Sequence, residues 1–333
     1  MKTDNALAPW IKRFLLEHLV GERNLALNTQ HSYRDTLRLL LPTAAKAAGK
    51  SIDRLCIADL SADLVRSFLA ELESERGCSI TTRNQRLSAV HALARYIGER
   101  NPESLVWCSE VRSVPFKRTV KTSLLYLEKA EMDALLSAPD EHAEHGRRDR
   151  ALLLFLYNTG ARATEVAGVR IADLTGDSNR GGMAVLHGKG SKIRRVPLWG
   201  KTFVALMPLI QGRAAGEPVF LNRYSEPITR FGIYELVARH ASKAGKQVPS
   251  ITTKRVSPHT IRHTTATHLL RAGVDINTIR GWLGHVSIDT TNIYAEVDLE
   301  MKAKALAACE PASTATTKRW RTEPAVMDFL RGL

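Results

Sequence analysis

Met183-Ala-Val-Leu-His-Gly-Lys-Gly-Ser-Lys-Ile-Arg-Arg-Val-Pro-Leu198 is the one stretch that interrupts an otherwise helical chain. Met183–His187 and Ile193–Leu198 read as two short strands, and Gly188-Lys189-Gly190-Ser191 between them reads as a β-hairpin turn. On either side, apolar residues recur with helical period. Helices are expected at 128–138, 147–160, 163–168, 201–212, 229–244, 259–272 and 276–283, with a last one at 298–309. The second domain, 124–309, is therefore mixed and mostly helical with a small antiparallel β-sheet. An Ala/Ser/Thr-rich tail, 310–333, ends in the short amphipathic piece Ala325–Leu330.

The first hundred residues read as a compact four-helix unit, so the chain as a whole is mainly α. Leu7, Ile11, Phe14, Leu15 and Leu19 mark a helix at 7–20. Asn28-Thr29 offers a cap for a second helix to about residue 48, with Tyr33, Leu37, Leu40 and Leu41 on its apolar side. A third helix follows Ser61. A fourth starts near Thr81 or Thr82 and carries Leu87, Val90, Leu93, Ala94 and Ile97. Arg83, Asn84 and Arg86 open that fourth helix, where cationic and amide side chains suit phosphate contact; the alternative is a solvated polar face. Asn101–Ser123 has linker character, with Asn-Pro, Val-Pro and the basic Lys117, Arg118 and Lys121. The domain limits drawn are 1–110, a linker at 111–123, and 124–309.

Length and charge fit this plan. The 333 residues suffice for two domains, and a formal net charge of +14 favours a polyanionic partner, most often nucleic acid. Cys56, Cys78, Cys108 and Cys309 form no Cys-x-x-Cys pair, which argues against a zinc knuckle or a disulfide scaffold. No signal peptide is read at the start, and the most apolar run, Ala151–Tyr157, is too short to span a bilayer. A cytoplasmic protein without a membrane partner is expected.

Six residues, in order, supply what a phosphodiester needs in order to be broken without a metal. Tyr294 is the candidate nucleophile. A phenol, with a pKa of about 10, needs neighbouring cations and a base to lose its proton as it attacks phosphorus. The resulting phosphotyrosine ester keeps the energy of the broken bond, so another hydroxyl can reseal it. Arg162 and Arg262 are the candidate phosphate clamp, because guanidinium forks stabilise charge on non-bridging oxygens. Glu165, three residues after Arg162, can orient it by pairing. Lys189, at the hairpin tip, is the candidate donor of a proton to the leaving 5′ oxygen; Lys192, Arg194 and Arg195 are neighbours easily mistaken for it. His259 and Arg262 share a helix face after Ser257-Pro258. His259 can accept a proton or bond the phosphate, and His285 can donate to a non-bridging oxygen. Each residue alone also fits an ordinary structural role, Tyr294 as a packing tyrosine and Arg162 as a salt-bridge partner. A metal site at His259 and His263 is disfavoured, because Thr, Ile and Arg lie between them and the Glu of a His-Glu-x-x-His site is missing. His263 and His268 read as packing or capping residues.

At these residues the chain resembles the tyrosine recombinase (phage integrase) family. The matching phrases are Thr159-Gly-Ala-Arg-Ala-Thr-Glu165, Gly188-Lys-Gly-Ser-Lys192, His259-Thr-Ile-Arg-His263, Leu283-Gly-His285 and Thr290-Thr-Asn-Ile-Tyr294. Arg262 and His285 are 23 residues apart, and His285 and Tyr294 are 9 apart, as in the family. Thr29-Gln-His-Ser-Tyr33 and Thr82-Arg-Asn-Gln-Arg-Leu-Ser88 resemble its SAM-like core-binding domain. The resemblance implies a C-shaped clamp on double-stranded DNA, 3′-phosphotyrosyl intermediates, a Holliday junction and a homo- or hetero-tetramer on paired sites. It further implies accessory recombinases or DNA-bending proteins, and no metal or nucleotide cofactor. By the same analogy Val326–Leu330 docks on a neighbouring protomer.

Ala161 stands where leucine is frequent in the family. The tail and an insert at Gly176–Gly182 depart from the compact Xer-like form and favour a mobile-element integrase or transposase over a Xer-type enzyme for chromosome dimer resolution. A type IB topoisomerase shares the chemistry, and a DNA-binding regulator with a degenerate site shares the fold. The two-domain likeness argues against the first and the complete residue set against the second.

Overall fold

The computed structural model describes residues 5–119, 125–177, 181–188 and 192–284. Lys121, Lys189, His285, Tyr294, the expected helix at 298–309 and the tail lie outside them. The chain divides into two compact units, Met1–Thr122 and Ser123–Leu333.

In the first unit, α1 (Leu7–Arg13) passes into a π-helical stretch, Phe14–Glu22, where the sequence predicts one α-helix. The wider coil puts residues five apart on one face. Phe14 and Leu19 are accordingly both buried, while Ile11 and Leu15 are half-buried. The helix α2 (Leu27–Ala48) starts before the expected Asn28-Thr29 cap. No side chain caps it; the Ala26 carbonyl accepts the first backbone N–H groups instead. The helix α3 (Ala62–Ser74) is capped as expected, with the Leu64 N–H donating to Ser61 Oγ at 3.2 Å. The cap of α4 (Ile80–Arg100) is Ser79, just upstream of the expected threonines. Its apolar line is buried as the periodicity predicts: Leu87, Val90, Leu93, Ala94 and Ile97. Each large aliphatic among them contributes roughly 1.5–3 kcal/mol over an exposed position.

The reading of 101–123 as linker needs correction. A 3₁₀ turn at Pro102–Ser104 leads into α5 (Leu105–Arg112). Pro102 ends α4 and also starts the next turn, because its fixed φ suits a first helical position. Cys108, Val111 and Val114 are buried in this unit's core, and Trp107 Nε1 donates to the Leu60 carbonyl at 2.9 Å. Gly98 permits the approach of α4 and α5, since a Cβ there would lie 2.8 Å from Cys108 Sγ.

The second unit contains α6 (Lys129–Ser137), α7 (Glu144–Thr159), α8 (Ala163–Gly168), α9 (Gly200–Ile210), α10 (Arg230–Ala244), α11 (Pro258–Arg271) and α12 (Ile276–Leu283). All seven lie where helical periodicity puts them. Its sheet is antiparallel, in the order β1 (Leu174–Asp177), β2 (Gly181–His187), β3 (Ile193–Leu198). The expected hairpin is β2–β3, paired from Gly182↔Leu198 to His187↔Ile193 and closed by Gly188 N–H to the Lys192 carbonyl at 2.7 Å. The strand β1 is an addition. Its ladder with β2 runs from Leu174↔Ala184 to Asp177↔Gly181, which sets Gly176 and Gly182, the two ends of the insert, opposite each other. Ala184, Leu186, Val196 and Leu198 face the core, where α7 contributes Ala151–Leu153, Phe155 and Leu156.

Candidate active site

Thr159-Gly160-Ala161-Arg162 is the break between α7 and α8, and each residue has a local reason. The Thr159 hydroxyl accepts the Ala161 N–H at 3.2 Å and donates to the Phe155 carbonyl at 2.6 Å. Gly160 ends α7 at φ +58, in the left-handed region that favours glycine. A Cβ there would lie 2.4 Å from Leu283 Cδ2, so the position also excludes side chains by contact. Ala161 is fully buried. Arg162 then stands at the N-cap of α8 with its side chain 37% exposed.

Glu165 fixes Arg162 twice. Its Oε2 accepts the Arg162 backbone N–H at 2.8 Å and its Oε1 accepts Arg162 Nη1 at 2.9 Å. The same carboxylate takes a fork from Arg194, with Nη1 to Oε1 at 2.9 Å and Nη2 to Oε2 at 2.7 Å. Burial pushes the Glu165 carboxyl up, but the Arg194 bonds and charge, with help from Arg162, outweigh it and hold the pKa at about 2. Glu165 is thus a fixed anion that serves two cations.

The helix α11 starts at Pro258 after Ser257, whose Oγ accepts the Thr260 N–H at 3.2 Å. This start places His259 and Arg262 in the first turns, as the sequence predicts. Arg262 is 2% exposed, and its Nη1 and Nη2 donate to the carbonyls of Gly160 at 2.6 Å and Leu283 at 2.7 Å. His259 is exposed and lines a cavity of about 540 Å³ together with Arg162, Arg230, Phe231 and Tyr234. Partial burial of its ring, then the Arg262 and Arg162 charges, lower its pKa from the usual imidazole value, so it is neutral near pH 7. His263 packs edge-on against His259, ring centres 4.9 Å apart. Burial and the neighbouring His259 and Arg262 take its pKa down to about 4. His268 Nδ1 bonds the Tyr157 hydroxyl at 2.8 Å, a packing role as expected. Among the described residues no group of three or more His, Cys, Asp or Glu is placed to hold a metal ion.

The structure therefore gathers Arg162, Glu165, His259 and Arg262. Gly188, at the foot of the turn that carries Lys189, adjoins them, since a Cβ there would lie 3.3 Å from Glu165 Oε1. The helix α12 ends at Gly284 (φ +67), immediately before His285. Lys192 is exposed. In the first unit, Arg83 is 5% exposed, donating to the Pro115 carbonyl at 2.8 Å and to Asn84 Oδ1 at 3.0 Å. Asn84 bonds the Lys117 backbone, Arg86 donates to Ser32 O and Thr36 Oγ1, and Lys117 Nζ pairs with Glu73 at 2.8 Å. Those of Arg83, Asn84 and Arg86 hold α4 to its own unit, Lys117 ties its segment to α3, and Arg118 is exposed.

Sequence reasoning named Arg194 only as a basic neighbour of Lys189 and gave it no role of its own. Strand parity is the signal that finds it: residues 194, 196 and 198 share a face, and Val196 and Leu198 are core. A larger cavity, about 790 Å³, contains none of the predicted site residues. Within it Asp149 is satisfied by Arg148, Arg239 and His240, so size does not mark the chemistry.

Comparison with known proteins gives the family. Residues 126–301 match the phage integrase family, and residues 11–101 match the phage integrase N-terminal SAM-like domain. The integrase/recombinase y4rC of Sinorhizobium fredii is 37% identical over 330 residues, 98% of each chain. Tyrosine recombinase XerC of Pelobacter propionicus is 33% identical over 299 residues, 87% of this chain and 91% of that protein. Two solved structures share the fold. The Tn1549 transposon integrase with transposon right-end DNA has a TM-score of 0.68 at 17% identity, over 92% of this chain and 100% of that one. The XerH recombinase bound to difH has a TM-score of 0.64 at 23% identity, over 88% of this chain and 83% of that one. Among the described residues no helix is long and apolar enough to cross a membrane. The chain belongs to the phage integrase family, the tyrosine recombinases, enzymes that break and rejoin DNA strands.

Proposed function

We propose that this tyrosine recombinase acts at a specific site on double-stranded DNA through a 3′-phosphotyrosyl intermediate, with Tyr294 as the nucleophile. The phenol oxygen bonds to phosphorus as the bond to the 5′ oxygen breaks, and Lys189 gives that oxygen its proton. Arg162 and Arg262 hold the non-bridging oxygens, and His285 donates to one of them. His259, neutral near pH 7, accepts the phenol proton or bonds the phosphate. The observation that carries this reading is the tie between the arginines: Arg262 donates to the carbonyl of Gly160, two residues before Arg162. Two guanidiniums are thereby fixed to one short stretch, the preorganisation that charge building up on phosphate oxygens requires.

The exposed Arg118 and Lys192, with Lys117 and Lys121, contact the DNA backbone, and the N-terminal unit serves as the core-binding domain. The enzyme works in the cytoplasm as a tetramer on paired sites. On this reading a mobile element is favoured over chromosome dimer resolution, supported by the 98% coverage of both chains in the match to a relative named an integrase/recombinase, against 87% of this chain in the XerC match. The test is to incubate wild type and Tyr294→Phe with nicked DNA tiled from the flanks of the gene and to resolve protein–DNA adducts on a denaturing gel. An adduct from wild type alone is expected. An adduct from Tyr294→Phe rules out the nucleophile, and supercoil relaxation without strand exchange supports a topoisomerase instead.

A further inference from the structure

Arg194 differs from its basic neighbours. Lys192 and Arg195 are exposed, whereas Arg194 lies on the inner face of β3 with its side chain 10% exposed. All three nitrogens of its guanidinium are engaged. Nη1 and Nη2 grip the Glu165 carboxylate, and Nε donates to the Trp282 carbonyl at 2.9 Å. Each end of that grip leads to a clamp arginine. Glu165 Oε1 also holds Arg162 Nη1, and the carbonyl next to that of Trp282, on Leu283, accepts Arg262 Nη2. Two glycines leave room for the side chain: a Cβ on Gly284 would lie 3.2 Å from Arg194 Cδ, and one on Gly188 would lie 3.8 Å from Arg194 Nη1.

We infer that Arg194 is a positioning residue for strand cleavage, which sets Arg162 and Arg262 at the separation the scissile phosphate needs. Resting on the reading of those two as the phosphate clamp, this extends it to a residue that touches no substrate. The geometry calls for arginine: one planar group must meet a carboxylate edge and a carbonyl together, and an ammonium, a single point donor, cannot span both. With Arg194 lost, the end of α12 and the N-cap of α8 are no longer tied to each other through it, and Arg162 and Arg262 move relative to one another.

The experiment uses the full chain and a nicked substrate that carries the cleaved site, with single-turnover adduct formation at saturating protein. Arg194→Lys is expected to slow adduct formation by roughly a hundredfold, the effect of a misplacement of about 1 Å. Its DNA affinity and melting midpoint should stay close to wild type. The double variant Arg162→Lys/Arg194→Lys should be no slower than the slower single, because both remove the same placement, and Arg195→Lys should cleave as wild type does. Losses that multiply in the double variant overturn the inference, as does a loss that follows folding or affinity. Should Arg194→Lys fail to melt cooperatively, Glu165→Asp, which draws the carboxylate back from the fork, is measured in its place with the same expectation. Wild-type rates from Arg194→Lys overturn this inference alone. No adduct from wild type overturns the recombination chemistry and this inference with it.

Discussion

Arg83 in the first unit and Arg262 in the second are both buried and both donate to main-chain carbonyls, but their surroundings differ. Arg83 lies 3.6 Å from the Glu73 carboxylate, which Lys117 also engages, and it pins α4 to the segment after α5. Arg262 holds the Gly160 and Leu283 carbonyls, and the carboxylate of the site, Glu165, is gripped by Arg162 and Arg194. One carboxylate for two guanidiniums leaves positive charge at the cleft, with Arg162 part-exposed beside His259. On the proposed reading, the same residue type serves the fold in one unit and the phosphate clamp in the other. What separates the two cases is the neighbour: Arg83 lies beside a carboxylate shared with Lys117, whereas the Gly160 carbonyl that Arg262 holds is two residues from the part-exposed Arg162.

The sharpest way to break the comparison is to remove each arginine in turn. Arg262→Ala should lower single-turnover cleavage by about a thousandfold, the scale for losing a transition-state donor. It should also destabilise the protein, at about 1–3 kcal/mol for each carbonyl left unpaired. Arg83→Ala should show the stability loss in a denaturant melt but keep cleavage at saturating protein within a few-fold. A comparable cleavage defect in Arg83→Ala would erase the distinction between the units.

Gly160→Ala comes next. The left-handed backbone and the approach to Leu283 both oppose a Cβ, so a loss of about 1–3 kcal/mol is expected in the same melt. Cleavage should fall with it, because the Gly160 carbonyl anchors Arg262. A variant as stable and active as wild type would mean that the close approach is not needed.

Acid should act on the second unit in two windows. The His263 pKa is about 4 against an ordinary 6.5, so its contribution to stability is complete above 6.5 and is lost as pH falls toward 4. Glu165 titrates at about 2 against an ordinary 4.5, so its contribution is present above 4.5 and is lost as pH falls toward 2. His263→Gln should flatten the first limb of a stability–pH curve, and Glu165→Gln the second. Unchanged limbs would show that the groups do not titrate as their surroundings require.

The smallest effect belongs to the exposed Arg118. Arg118→Ala should leave stability unchanged and reduce the salt slope of DNA binding by about one. An equal change of slope in Arg83→Ala would place that buried side chain on the DNA.

The helices of the second unit were legible because burial of one face writes a 3.6-residue period into the sequence. Ser61 was legible as a cap because a short hydroxyl before an apolar run has few other uses. The helix α5 was not, because Asn101-Pro102 carries the mark of a break and the restart after it depends on packing against α4 and Leu60. The strand β1 was not, because Leu174-Thr-Gly-Asp177 has no apolar alternation and is held by its ladder with β2. Arg194 was hidden in a run of basic residues, where only strand parity separates it from Arg195.

By itself the sequence determined the helical character, the β2–β3 hairpin and the ordered set from Arg162 to Tyr294, since period, turn chemistry and spacing are properties of the covalent chain. Only the tertiary structure decided which basic side chains are free and which are used. The reason is distance along the chain: Arg83 meets its carbonyl 32 residues away, Arg194 its carboxylate 29 away, and Arg262 its Gly160 partner 102 away. A donor's partner at that range exists only once the fold has brought it there.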